Sequence, residues 1–509
     1  MIDTNQTRPE PEPEAEDAWR VERTKTGVSG LDTILRGGLV RGAIYLVMGR
    51  PGTGKTTLGN QLCFEHAKQG DRAAYMTLLA ESHAAMLKNL HTMSFFDASL
   101  INNGLSYVGA YRALRDEKLR GLLDMVRRVI LDEKATLLVI DGISPARALA
   151  ENDVALKEFV VELQMLSAMT NCTTILLANM TAADANDPEH TMVDGLIELA
   201  FEHFRRRTLR TVEVLKFRGT RHLLGRHELE ISSAGVSVHP RLEDLLDGSG
   251  NPAPASDARL LTGIRELDAM LRGGVLRGTN SVALGFSGSG KTTLGLHFLS
   301  TGADAGEPGV LFGFYESPDR ICQSSERVGL RLREHAAHGK FTHVWQPSYE
   351  FGLDRLGARL LSEVERIGAK RVVIDSLDGF RQAAIDPSRT IRFMTALLGE
   401  LRAREITTIM IDETMKPSGP EMEMRVEGIS ALVENLFLLE YMTVGPRMRR
   451  LLSIVKQRAS AHETSAREFF LTGRGIEVAP DAASAAEVVA HTDDFSARHN
   501  ERPRPPEGV

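Results

Sequence analysis

A segment beginning at Thr26, TGVSGLDTILRGGLVRG, returns from Thr262 as TGIRELDAMLRGGVLRG, 236 residues later. Most positions match or exchange one aliphatic residue for another. GRPGTGKTT around Lys55 returns at the same offset as GFSGSGKTT around Lys291. LLVIDGI around Asp141 is echoed by VVIDSLDGF around Asp375, and VLKFRGTRH from Val214 by IVKQRASAH from Ile454. Self-similarity of this kind marks one structural unit used more than once. By length alone, 509 residues admit about three domains. The repeat reduces that to two copies of one domain of more than 200 residues.

Composition sets the boundaries. Asp247 to Asp257 reads DGSGNPAPASD, a Gly/Pro/Ser/Asn cluster with almost nothing to bury, hence a linker. The chain therefore divides into a disordered N-terminal arm over 1–21, a first domain over 22–241, a linker over 242–257, a second domain over 258–479 and a flexible tail over 480–509. In the arm, Glu10, Glu12, Glu14 and Glu16 alternate with Pro or Ala, without the apolar run of a secretory leader. No run of about 18 uncharged apolar residues occurs, so no membrane span is expected. Cys63, Cys172 and Cys322 are too few and too scattered for a disulfide framework or a zinc cage. A reducing, cytoplasmic setting is the expectation. The net charge of −7 weighs against a nucleic-acid coat.

Within each copy, short apolar runs alternate with helical patterns. AIYLVMG, AAYMTLL, TLLVIDG and TTILLANM are strand candidates in the first copy, and SVALGF, GVLFGF, RVVIDS and TTIMIDE in the second. Segments such as Lys118 to Glu133 and Leu353 to Ile367 carry apolar residues every three or four positions, the helical period. Continuous apolar strands alternating with helices predict a mainly parallel sheet covered on both faces, in two tandem α/β domains.

Gly49 to Thr56 and Gly285 to Thr292 both satisfy G-x-x-x-x-G-K-[ST], each after a strand and before a helix. The candidate phosphate contacts are Gly49, Gly52, Thr53, Gly54, Lys55, Thr56 and Thr57 in the first copy. Gly285, Gly288, Ser289, Gly290, Lys291, Thr292 and Thr293 match them in the second. The glycines let backbone N–H groups curl around a phosphate, and the helix N-terminus adds its positive dipole end. Lys55 and Lys291 then reach the β- and γ-phosphates, and the Thr56 and Thr292 hydroxyls can ligate Mg²⁺. A ligand-free glycine-rich turn is the alternative, which two duplicated matches disfavour. Asp141 and Asp375 end apolar strands about 85 residues later, suited to holding Mg²⁺ through its water shell. Glu81 and Glu316 end the strand after each P-loop helix and are the candidate bases for hydrolysis. Lys216, Arg218 and His222 match Lys456, Arg458 and His462 as K-x-R-x-x-x-H. Alternation puts Lys and Arg on one strand face, and their recurrence argues for a shared task, such as an arginine finger to a neighbouring subunit's nucleotide.

A TG-x-x-x-LD-x-x-L-x-GG lead-in, a P-loop, a strand ending in Glu-Ser, an Asp-ending strand and a terminal K-x-R, all present twice, resemble the KaiC family of RecA-superfamily ATPases. The resemblance covers roughly Thr24 to Val478 and is most specific in the lead-ins and P-loops. It implies a RecA-like fold in both copies, ATP at the subunit interfaces of a double-ring homohexamer, slow hydrolysis, and Ser/Thr autophosphorylation in the C-terminal ring. By this resemblance Lys55, Thr56, Lys291 and Thr292 contact phosphate and Mg²⁺, and the two Lys-Arg-His groups act across the interface. The family has two adjacent glutamates at the catalytic strand end, whereas Ala80-Glu81 and Tyr315-Glu316 keep only the second of each pair. The family's Ser-Thr phosphosite aligns with Ser430-Ala431, leaving Ser430 as the acceptor and no second site beside it. The family engages an activating partner through its C-terminal tail. The tail here shows no matching motif, so a signalling partner there is an expectation from position, and timekeeping is not implied.

Two other functions compete. A RecA- or helicase-like DNA motor would use Arg205 to Arg207 and the run Arg447 to Arg450, but no aromatic-plus-basic strand-binding stretch accompanies them. A nucleotide-gated scaffold would bind ATP chiefly to hold its ring together.

Overall fold

The computed structural model describes residues 21–78, 83–179, 192–204, 207–245, 256–347, 352–413, 428–444, 446–458 and 461–490. The chain divides into two compact units, Met1–Arg241 and Leu242–Val509. Among the described residues, each is built on a nine-stranded sheet. In the first unit the strands lie in the order Leu105–Gly109, Ala73–Thr77, Leu137–Asp141, Thr173–Ala178, Ile44–Gly49, Gly195–Phe204, Arg207–Phe217, Arg226–Ser232 and Gly235–His239. In the second they follow the same order: Phe341–Trp345, Gly309–Gly313, Arg371–Asp375, Thr407–Glu413, Asn280–Gly285, Asn435–Val444, Arg447–Gln457, Arg467–Thr472 and Gly475–Val478. The first six strands of each sheet run parallel, and the last three are added antiparallel. This is the mainly parallel α/β architecture that the alternation of strands and helices indicates, present twice.

The four apolar runs of each copy form the sheet interior because they bury both faces. Every residue of Ile44–Gly49 is buried, as is every residue of Asn280–Gly285. In the second unit Val282 and Leu284 join one core with Phe312, Phe380 and Phe393, while Ala283 joins another with Leu294, Phe298 and Val373. Alternate side chains thus feed two hydrophobic layers, one on each side of the sheet. The edge strands Leu105–Gly109 and Phe341–Trp345 escape the sequence reading because they are short and only partly apolar. The helical segments are found, as Tyr111–Leu131, broken at Lys118 (φ 55°), and Leu353–Ile367.

The duplicated lead-in has a structural task. The Thr26 N–H and hydroxyl both donate to Asp32 Oδ1, at 2.9 and 2.8 Å. Thr262 does the same to Asp268, at 2.7 and 2.8 Å. The Thr–Asp pair folds the chain back over its own short helix, and Arg23 and Arg259 clamp the neighbouring carbonyls in matching ways.

Two segments that composition assigns to linker and tail are structured. Leu242–Leu245 forms a helical turn of the second unit, with Leu242 in its core and the Leu242 N–H donating to Asp354. Composition missed it because only two leucines, Leu242 and Leu245, and the Glu243 ion pair make its contacts. Residues 483–490, read as flexible tail, form a helix. Its Ala485 and Val488 share a stripe that packs on Leu451, Met442 and Val444.

One buried latch differs between the copies. Gln61 accepts from the Val236 N–H and donates to the Val236 carbonyl, whereas His297 accepts from the Ile476 N–H at 3.1 Å. Burial holds His297 below the ordinary histidine value of 6.5. The unfolded chain therefore binds a proton below about pH 6.5 that the native latch refuses, so this contribution to stability is present above that pH and lost as pH falls. Melting curves from pH 7.5 to 5 are expected to fall less steeply for His297→Gln than for wild type, and identical slopes would exclude the latch as a source.

Candidate functional site

Each P-loop is shaped by positions that only glycine fits. A Cβ on Gly49 would stand 2.3 Å from the Leu199 carbonyl oxygen, and one on Gly285 2.2 Å from that of Leu439. Gly54 and Gly290 sit at φ 108° and 103°, the left-handed region, and open the helices Lys55–Lys68 and Lys291–Asp304. Gly52 and Gly288 are also left-handed, at 84° and 77°. The loop thus delivers its backbone to a helix N-terminus, a cradle for phosphate. Lys55 Nζ donates to the carbonyls of Gly49 (2.7 Å) and Arg50 (3.0 Å), and Lys291 Nζ to those of Gly285 (2.8 Å) and Phe286 (2.6 Å). Thr53 and Ser289 are buried beneath the loops, and the Thr53 hydroxyl donates to Arg50.

The strand-end carboxylates meet the P-loop threonines. The Thr56 hydroxyl donates to Asp141 Oδ2 at 3.1 Å, and that of Thr292 to Asp375 Oδ2 at 2.7 Å. In the first unit the Tyr75 hydroxyl also donates to Asp141 Oδ2, at 2.6 Å. Leu311 holds the corresponding place in the second, so that site lacks this donor. Burial pushes the Asp375 carboxyl above its ordinary value, opposed by Thr292 and Lys291 and reinforced by Glu316 and Glu413.

In the second unit a cavity of about 540 Å³ opens over the P-loop. Gly288, Gly290, Lys291, Thr292, Thr293, Glu316 and Asp375, all singled out in the sequence, line it together. Tyr315, His343, Asp378 and Glu413 line it too and were not singled out as active. The Tyr315 hydroxyl donates to Asp378 at 3.1 Å, and burial with this acidic neighbour pushes it up to about 12. Glu413 was legible as the last letter of TTIMIDE, but nothing in one strand says that its end borders a cavity. Glu81 lies outside the described residues, as does Ala80.

The Lys-Arg-His groups lie elsewhere. Lys216 pairs with Leu196 and Lys456 with Leu436, near the start of the strands that flank the P-loop strands. Arg218 lies 3.6 Å from Asp194, whose carboxylate accepts from the Ile44 N–H at the start of the P-loop strand. Burial, then the adjacent arginine, holds each lysine below its ordinary value. Lys456 Nζ donates to the Ser430 carbonyl at 2.6 Å, and Ser430 is exposed. His222 packs edge-on against Phe217, and His462 is half-buried. By register Arg458 is level with Glu434 and Asn280, five residues along the strand from Gly285 or roughly 16 Å, and Lys456, opposite Leu436 and so level with Val282, is three residues along, roughly 10 Å. None of Ser430, Lys456, Arg458 or His462 lines the cavity.

The basic runs offer little to a nucleic acid. Arg449 makes two 2.5 Å hydrogen bonds to the buried Glu468, and Arg450 lies over the Tyr441 ring. Arg205 and Arg206 lie outside the described residues. Cys63, Cys172 and Cys322 are all buried free thiols. Among the described residues no helix is long and apolar enough to cross a membrane.

A family model described as the KaiC ATPase matches the chain twice, over 24–243 and 260–483. The circadian clock oscillator protein KaiC of Picosynechococcus sp. is 26% identical over 473 residues, covering 90% of each chain. That of Thermostichus vulcanus is 26% identical over 490 residues, covering 93% of this chain and 92% of its own. The Synechococcus elongatus protein of the same name is 24% identical over 471 residues, covering 90% and 89%. With two tandem RecA-like domains, each built around a P-loop, the chain belongs to the KaiC family of ATPases.

Proposed function

We propose that both units bind and hydrolyse ATP, that six copies assemble in a double ring with nucleotide between subunits, and that Ser430 is phosphorylated by a neighbouring copy. The two ATPase modules span 22–241 and 258–479. Lys55 and Lys291 hold the β- and γ-phosphates, with backbone N–H groups of Gly52, Gly54, Gly288 and Gly290 around them. Thr56 with Asp141, and Thr292 with Asp375, would hold Mg²⁺. Each hydroxyl already meets its carboxylate at hydrogen-bond distance, so the donor set fits a hard divalent cation. The ion supplies charge neutralisation along the phosphates. Glu81 and Glu316 orient the attacking water and take its proton.

The observation that supports assembly is the separation within one copy. Ser430, Lys456 and Arg458 line no part of the cavity over their own P-loop and lie toward the other end of its strand, which fits service to a nucleotide bound to another copy. Lys216 and Arg218 repeat that placement in the first unit. The resulting ring is a signalling or timing ATPase acting in the cytoplasm, with a signalling partner engaged through the C-terminal tail.

The test is complementation between two inactive chains. Lys291→Ala cannot present ATP in the second unit, and Ser430→Ala cannot accept. Alone, neither is expected to incorporate radiolabel from γ-labelled ATP; mixed, label is expected on Ser430 of the Lys291→Ala chain. Equal labelling of wild type and Ser430→Ala would remove Ser430 as the acceptor. Label on Lys291→Ala alone would remove the second site as the donor.

A further inference from the structure

We propose that Glu413 is a second proton-accepting carboxylate of the second site, with no counterpart in the first. The inference rests on the reading of that cavity as an ATP site and says how the two sites differ.

The strand Thr407–Glu413 lies between the P-loop strand and the strand that ends in Asp375. In its register Ile411 is beside Asp375, and Glu413 is beside Gly285, the first P-loop glycine. Residues two apart on a strand share a face, so Glu413 emerges on the side that carries Asp375 and Ile411. All three line the cavity together with Lys291, Thr292 and Glu316.

The cavity holds one other acid, Asp378, and it is committed elsewhere. Its Oδ1 accepts from Arg381 Nε at 2.8 Å, and its Oδ2 from the Tyr315 hydroxyl and from Gln382. Burial alone would raise it, but Arg381 and Gln382 hold it below the ordinary carboxylate value. A carboxylate so held is a poor proton acceptor. In the first unit the run Thr173 to Asn179, TTILLAN, takes the place of TTIMIDE, and Asn179 stands where Glu413 does. An amide can accept a hydrogen bond from a nucleophile but cannot take its proton.

The step is an in-line displacement. The oxygen of water, or of a serine hydroxyl from a neighbouring copy, forms a bond to the γ-phosphorus. The bond from that phosphorus to the β–γ bridging oxygen breaks, and ADP leaves with the electron pair. The nucleophile's proton passes to the pair Glu316 and Glu413, which share it, so that removing either carboxylate slows the step.

The experiment uses the full-length chain carrying Lys55→Ala, so that only the second site turns over. Glu413→Asn, which installs the first-site residue, is expected to lower ATP turnover by about 10²-fold. Binding of a fluorescent ATP analogue should stay within about twofold of the parent, and Glu413→Asp should recover most of the rate. Turnover within twofold of the parent in Glu413→Asn would overturn the proposal. So would a loss that excess Mg²⁺ reverses, which would make Glu413 a cation holder, or a loss of binding that matches the loss of rate. A Lys55→Ala parent that binds no nucleotide overturns the ATP reading itself, and the role of Glu413 with it.

Discussion

Replacing Lys55 and Lys291 together with alanine is expected to lower ATP turnover by about 10²–10³-fold or more, the cost of removing a donor aimed at developing charge. The fold should survive. Both side chains are nearly buried, 7% and 6% exposed, and their ammonium groups donate to carbonyl oxygens of the loop. Burial already holds Lys55 below the ordinary lysine value, with Asp141 opposing it. Truncation therefore removes a desolvated charge, and melting temperature is expected to stay level or rise. Single substitutions divide the remaining rate between the two units. Undiminished turnover in the double variant would place the chemistry outside the P-loops.

Arg389→Ala is expected to destabilise the second unit by about 3–5 kcal/mol, because it strands buried carboxylates. The Arg389 guanidinium grips Glu243 at 2.6 and 2.9 Å and Asp354 at 2.6 and 2.9 Å. The Asp354 side chain is only 2% exposed, and it also accepts from the Leu242 N–H. Burial raises the Asp354 carboxyl even with Arg389 beside it. Without the guanidinium its proton affinity rises further, so protonation relieves part of the penalty in acid. Thermal melts should show a drop on the order of 10 °C at pH 8 and a smaller one at pH 5. A melting temperature within 2 °C of wild type at pH 8, an estimate of about 1 kcal/mol or less, would show that this cluster does not anchor Leu242–Leu245.

The parts of the fold that local pattern specifies were legible in the sequence. Ile44–Gly49 and Asn280–Gly285 are continuous apolar runs because both faces are covered, and the P-loops follow from glycines that no other residue can replace. What escaped is set by partners remote in sequence. Tyr75 reaches Asp141 across 66 residues, and Arg389 reaches Glu243 across 146. Neither residue carries a local mark of its role. The helix over 483–490 was missed because its apolar stripe is two residues wide and gains meaning only against Leu451. Ser430 was found by its place in the chain, but its distance from the P-loop follows from strand direction, which a motif does not encode.

The second strand of each late hairpin breaks the alternation of its side chains at the same rung. Leu196 faces Lys216 while Ile197 faces Val214, and Leu436 faces Lys456 while Phe437 faces Ile454. Leu215 and Val455 are the unpaired extras, and the buried series steps by three residues, from Val214 to Phe217 and from Ile454 to Gln457. A strand has parity, and this irregularity reverses it once. Deleting Leu215 or Val455 would close the pairing and leave Lys216 opposite Leu196 and Lys456 opposite Leu436, on the side of the sheet they now occupy. The extra residue instead bends the strand and sharpens its local twist, so it re-aims the cations that follow without changing their side.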